Sequence, residues 1–141
     1  MSLKIRKYTF KDTHALRRIF VDSRRHAFSW ADPETFKLMD FDRATRGETI
    51  LLAVENEVPV GFVAWWPPEN FIHSLFVDPA FIGKGAGKLL LNACLAKMER
   101  PATLKCLQAN ANALNFYLAQ NWTIASRGES ADGDYYLLAF T

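Results

Sequence analysis

A chain of 141 residues has room for one folded domain and excludes a multidomain machine. Half of its residues are hydrophobic, 13% aromatic and 23% charged, which excludes a disordered chain and supplies a core that needs neither a disulfide framework nor a structural metal. A net charge of +2 is too small to demand a polyanionic partner, and the sequence offers no membrane-length apolar run and no signal-like apolar stretch after MSLKIRKYTFKD, so a cytoplasmic protein without membrane association is expected.

The opening Lys4-Ile5-Arg6-Lys7-Tyr8 alternates polar and apolar residues and predicts a strand. Asp12 then stands where an N-cap would precede Ala15, Leu16, Ile19 and Phe20 at helical spacing. Charge is uneven here: the first 25 residues hold eight Lys or Arg, among them Arg17, Arg18, Arg24 and Arg25, and residues 32–57 hold seven Asp or Glu. Solvated faces are the ordinary outcome of such runs, and a nucleic-acid-binding face is the sharper one. Pro33 at a first helical position suggests a second short helix over residues 33–42. Ile50 to Val54, a polar turn at 55–57 and Val60 to Trp66 predict a hairpin ended by Pro67-Pro68, with a third strand from Asn70 to Val77. Asp78-Pro79 closes that strand, a glycine loop fills 83–87, and Leu90, Leu91, Cys94, Leu95 and Met98 recur at helical spacing until Pro101. Thr103 to Gln108 is a further strand, Asn110 or Asn112 caps a helix running to about Gln120, and Trp122 to Arg127 with Tyr135 to Phe140 form a last pair. Hairpins leading into one strand-helix-strand crossover predict a mixed α/β sheet with helices on both sides. Cys94 and Cys106 match neither a disulfide framework nor a zinc spacing and read as buried thiols.

The segment Ile82-Gly83-Lys84-Gly85-Ala86-Gly87-Lys88 joins a strand directly to a helix, so its N–H groups converge at the positive end of a helix dipole. A Walker loop would need Gly where Ile82 stands and Ser or Thr at Leu89; a G-x-G-x-x-G loop would need Gly at Lys88 or Leu90. What remains is an anion cradle of three alternating glycines after a strand ending in Val77-Asp78-Pro79.

Leu75-Phe76-Val77-Asp78-Pro79 followed by Gly83-Lys84-Gly85-Ala86-Gly87-Lys88-Leu89-Leu90 resembles the acyl-coenzyme A signature of the GNAT superfamily of N-acetyltransferases. Asn110-Ala111-Asn112-Ala113-Leu114-Asn115-Phe116-Tyr117, then Asn121-Trp122, is similar to that family's second motif, and the resemblance covers residues 3–141. Ile82 departs from it where Arg or Gln is usual, and Asn121 where Gly is common. The resemblance implies one N-acetyltransferase domain over 1–141, built on a mostly antiparallel sheet of about seven strands flanked by about four helices. It implies acetyl-CoA as cofactor, held by Leu75, Phe76 and Val77 on the strand, by Ile82, Gly83, Lys84, Gly85, Ala86, Gly87 and Lys88 in the loop, and by Asn110, Asn112, Phe116 and Tyr117 in the second motif.

Acetyl transfer to an amine needs aligned reactants, a neutral amine, a donor for the developing oxyanion and a proton for the departing thiolate. By the resemblance Tyr117 supplies that proton; on the residues alone it reads first as a core aromatic on an apolar helix face. His73, in an H-x-L-x-V run similar to that of the arylalkylamine N-acetyltransferases, is the candidate base; the alternative is a hydrogen-bonded structural histidine. Strict alternation would put it on the face of Leu75 and Val77, and a backbone N–H near Phe76 is the expected oxyanion donor. Trp30, Asp32, Trp65 and Trp66 fall where the family builds its substrate wall, with packing as the simpler role, and the acidic run favours a cationic acetyl acceptor. The expected partner is a small-molecule or peptide amine, without nucleic acid. Exposure of Tyr135, Tyr136 or Phe140 would suit a homodimer. Two rivals stand beside this: an acyl-CoA-binding sensor without turnover, which Ile82 would suit, and a nucleic-acid-binding domain built on the four arginines.

Overall fold

The computed structural model describes residues 2–141. Its strands are β1 (Leu3–Lys7), β2 (Thr49–Glu55), β3 (Val58–Trp66), β4 (Phe71–Val77), β5 (Ala102–Leu107), β6 (Thr123–Ser130) and β7 (Gly133–Phe140). Its α-helices are α1 (Thr13–Ala27), α2 (Asp40–Ala44), α3 (Ala86–Leu95) and α4 (Ala111–Ala119). They build one seven-stranded sheet in the order β1-β2-β3-β4-β5-β7-β6, in which only β4 and β5 run parallel. The mixed, mostly antiparallel sheet with four helices is the expected architecture.

Alternation along the central strands sends side chains to two cores. Val63, Trp65, Leu90, Leu91, Cys94, Trp122 and Leu138 join one face to α3 and to the end of α4. Leu16, Ile19, Phe20, Phe41, Leu52 and Phe62 join the other to α1 and α2. Cys94 and Cys106 are buried free thiols, and burial pushes them up to about 12 and about 11, so neither is a nucleophile near neutral pH.

Two local expectations are corrected. Asp12 sits at the start of α1 but turns its carboxylate backwards, accepting from the Thr9 N–H at 2.9 Å and from both Arg6 Nη atoms at 2.8 and 2.9 Å. A charge-assisted, two-pronged partner outcompetes the helix N–H groups. Residues 33–42 do not form one helix: a 3-10 turn covers Pro33–Thr35, the chain extends at Phe36, and α2 begins only at Asp40. Arg25 donates to the Pro33 and Phe36 carbonyls at 3.1 and 3.2 Å, occupying acceptors a helix would need for itself.

Gly61 on β3 faces Val77 at the end of β4, and a Cβ there would stand 2.9 Å from the Phe76 carbonyl oxygen and 3.2 Å from Leu90 Cδ1. Backbone and a fully buried leucine close the space, so the sheet itself must move. Gly61→Ala is expected to cost about 1–3 kcal/mol, read as a lower urea midpoint at unchanged m-value; an unchanged midpoint would show that the approach is not tight.

Candidate active site

The cradle begins where β4 ends. Asp78 is buried, caps the following 3-10 turn by accepting from the Ala80 N–H at 3.0 Å, and pairs with Arg18 at 3.3 Å. Gly83 and Gly85 then take φ of +86° and +87°, and Gly85 serves as N-cap of α3. A Cβ at either would meet nothing within 4 Å, so the left-handed backbone and not crowding demands glycine. The alternation aims the open first turn of α3 into a cavity of about 330 Å³. Leu75 and Val77 of β4, Phe81, Ile82, Gly83, Gly85, Ala86, Gly87 and Lys88 of the loop, and Ala113, Phe116 and Tyr117 of α4 line it.

Most of the expected cofactor residues therefore meet around one cavity, and four do not. Phe76 points to the other face, where its ring packs 5.1 Å from Phe20. Lys84 turns outward, its Nζ 5.1 Å over the Phe81 ring. Asn112 is exposed on the first turn of α4. Asn110 caps α4 by accepting from the Ala113 N–H at 3.2 Å and lines a neighbouring cleft. Phe81 and Ala113 were not foreseen; Ala113, four residues before Tyr117, was legible from helical phase.

Tyr117 is held by how α4 ends. Asn121 adopts φ +72°, and the Trp122 and Asn121 N–H groups donate to the Tyr117 and Leu118 carbonyls, each at 3.1 Å. This is the six-to-one, five-to-two pattern of a left-handed helix stop, with the Trp122 ring 5.7 Å from that of Tyr117 as its hydrophobic contact. Burial pushes the phenol well above its ordinary value, so it keeps its proton at any working pH. Tyr117 also lines a cleft of about 160 Å³ on the far side, together with Leu75, Cys106, Asn110 and His73.

That second cleft exists because β4 and β5 pair only at Phe71–Thr103 and Ile72–Leu104 and then part. The Asp78 N–H donates to the Val60 carbonyl at 2.8 Å, and ladder alternation places the Phe76 N–H against β3 as well. The N–H groups of Leu75 and Val77 then point into the parting, next to the position expected for an oxyanion donor.

His73 corrects the expectation from alternation. Ala64 faces Ser74 while Trp65 faces Ile72, which leaves His73 as the extra residue of a β-bulge. The bulge turns its side chain to the face of Ser74 and Phe76, where all three line a cleft of about 400 Å³ with Phe28, Arg24 and Lys105. Nδ1 of His73 meets the Glu48 carboxylate, a partner the sequence did not suggest. Trp30 lines an adjoining cleft with Arg24, Phe28 and Phe36. Asp32 is spent capping the Pro33 turn, Trp65 is buried in the α3-side core, and the Trp66 ring lies against Gly47. These three do not wall the cleft.

Ion pairs also offset part of the acidic run. Asp40 is held by Arg24 at 3.2 Å and Arg43 at 2.6 Å, and Asp42 by Arg17 at 2.6 Å, so two of the seven acidic residues behind the expected bias toward a cationic acetyl acceptor are offset by arginines. The same pairs, with Arg18 on Asp22 and Asp78, neutralise three of the four arginines expected of a nucleic-acid face. Tyr135, Tyr136 and Phe140, whose exposure would suit a homodimer, are partly covered by Lys105, Arg127 and Arg100 at 4.8, 5.5 and 5.1 Å.

Residues 13–122 match the model of the acetyltransferase (GNAT) family. The chain belongs to that family. No curated protein matches it in sequence. Among solved structures, the GNAT chain is similar to apo-form YjaB from Escherichia coli, with a TM-score of 0.81 at 21% identity over 100% of this chain and 99% of that one. The PaiA N-acetyltransferase from Thermoplasma acidophilum in complex with coenzyme A gives 0.80 at 17% identity, covering 98% of each chain. The putative acetyltransferase YncA from Salmonella typhimurium with its cofactor acetyl-CoA gives 0.74 at 19% over 100% and 94%. At these identities the likeness is one of fold, and all of the strands and helices take part. Among the described residues of this GNAT chain, no helix is long and apolar enough to cross a membrane.

Proposed function

We propose that residues 1–141 form an N-acetyltransferase that moves the acetyl group of acetyl-CoA to a primary amine by direct attack within a ternary complex. The observation that carries this reading is the wall that the two cavities share at Leu75, Ala113 and Tyr117: a glycine cradle on one side, a cleft on the other, and a buried phenol between. The residues present fit the cofactor. The positive-φ glycines leave the cradle open, the α3 N-terminus supplies N–H groups and a favourable dipole for a pyrophosphate, and Lys88 lies at its rim. Ile82 adds only apolar surface, so binding there rests on backbone.

Bound acetyl-CoA supplies an activated acetyl thioester. Leu75 and Val77 offer N–H groups to the carbonyl oxygen as it gains charge. Tyr117 would hand its proton to the departing sulfur and be restored by the second proton that the attacking nitrogen sheds as the amide forms, burial keeping the phenol protonated until then. His73, from the other mouth of the parting, takes a proton from the incoming ammonium. Phe28 and Trp30, with ring centroids 5.3 Å apart, give the acetyl acceptor an apolar wall, and Lys105 lines the cleft beside them.

The deciding experiment compares the melting temperature of the protein with acetyl-CoA, CoA, ATP and NADH at equal concentration. Ligand at 100 times its Kd adds about 2.7 kcal/mol, several degrees for a chain of this length. A rise with acetyl-CoA and CoA alone is expected. A rise only with ATP or NADH would give the cradle to another phosphate ligand. Binding without thiol release across an amine panel would make the protein an acyl-CoA sensor.

A further inference from the structure

Glu48 precedes β2, far in sequence from the signature motifs, yet its side chain is only 5% exposed and ends against His73. Oε2 meets His73 Nδ1; Oε1 is buried without a partner among the described residues. Burial lifts this carboxyl above its usual range and the imidazole opposes the lift. A buried carboxylate whose one partner is an imidazole is a costly element for a fold to keep. The imidazole it touches is the one the bulge rotates out of register. His73 is half-exposed and its Nδ1 is engaged by Glu48. Nε2 is therefore the ring nitrogen left for the clefts that His73 lines.

We propose that Glu48 is a positioning residue that holds the neutral His73 ring with its proton on Nδ1, so that the Nε2 lone pair faces the cleft and takes a proton from the acetyl acceptor's ammonium group. The N–H bond of the ammonium breaks, an Nε2–H bond forms, and the amine keeps the electron pair it needs for attack. The imidazolium so formed sits beside the Glu48 carboxylate and returns its proton to solvent through its exposed edge. The reaction rests on the acetyltransferase reading above; the arrangement of the two side chains does not. Arg24 of α1, Lys105 of β5, and Asp132 and Tyr135 of the β6–β7 hairpin line the same cleft, so the effect of Glu48 is read as a difference between variants and not from one profile.

The test has two arms, both on the full chain. Long-range 1H–15N spectra, with His73 assigned against His14 and His26 through His73→Gln, should show the neutral ring protonated at Nδ1 in the parent and losing that preference in Glu48→Leu. A ring protonated at Nε2 in the parent, or unmoved by Glu48→Leu, overturns the proposal. In the second arm, kcat/KM for one amine is followed against pH. Glu48→Gln keeps an acceptor for the Nδ1 proton and should hold more of the plateau than Glu48→Leu does. Glu48→Leu should lower the plateau by about tenfold, and neither change should matter further in a His73→Gln background. An unmoved plateau in Glu48→Leu, or an equal loss in both backgrounds, sinks the role. If the parent acetylates no amine, the acetyltransferase reading fails by itself and the spectra still decide whether the pair is arranged as described.

Discussion

Tyr117→Phe should lower kcat by about 10²–10³-fold while leaving the Kd for coenzyme A within about twofold, since general acid assistance by a placed side chain is typically of that size. The separation follows from where the residue sits. Its ring belongs to the wall shared by both cavities and to the contact with Trp122, so phenylalanine keeps the packing and the α4 stop. Only the hydroxyl is lost, and with it the proton for the departing sulfur. Because burial raises this phenol, the alkaline limb of the parent profile does not belong to Tyr117, and the variant should retain the parent's pH dependence at a lower height. Single-turnover transfer of acetyl to one amine, with coenzyme A affinity measured separately, is the check. A loss confined to KM would make Tyr117 a binding residue, and an unchanged kcat would remove it from the mechanism.

Trp122→Ala should be the most damaging change to the fold, with an expected loss of about 3–5 kcal/mol, typical of a truncated buried aromatic. The indole is 2% exposed and lies between Tyr117 and Phe140, at 5.7 and 5.6 Å from their ring centroids. Its removal leaves a cavity under the last turn of α4 and takes away the hydrophobic half of the helix stop. Trp122→Phe makes the telling comparison. Nε1 of Trp122 is buried with no acceptor among the described residues, so losing it forfeits no hydrogen bond and offsets part of the lost volume. The phenylalanine variant should therefore lose about 1–2 kcal/mol, by denaturant midpoint at constant m-value. Equal losses for the two would mean that Nε1 has a partner, such as water.

Features whose cause lies within a few residues were legible in the sequence. Gly83 and Gly85 were marked by their spacing because a left-handed backbone is a demand the local chain makes on itself. The end of α4 near Gln120 was legible in the same way, whereas the family resemblance, not the residues alone, put Tyr117 at the cradle. The glycine spacing, read with the Asn110–Tyr117 motif, carried the family resemblance, the architecture and the cofactor cavity.

What escaped the sequence depends on partners that the chain brings in from afar. Strict period-two alternation put His73 beside Leu75, but one extra residue in β4, defined only by its pairing with β3, turned it to the opposite face. Glu48 reaches His73 across 25 positions, and no local pattern announces the contact. The acidic run read as a field, and only the fold showed that Arg17 and Arg24 of α1 offset its Asp42 and Asp40. Trp65 and Trp66 differ by one position, yet one is core and the other is partly exposed, because the strand's inward face is set by the cores on either side of the sheet. The sequence alone determined the cradle and the helix that carries Tyr117, since backbone conformation and helical phase are settled among near neighbours. Which side chains share the cleft with His73 was decided only by tertiary structure, through register, a bulge and long-range ion pairs.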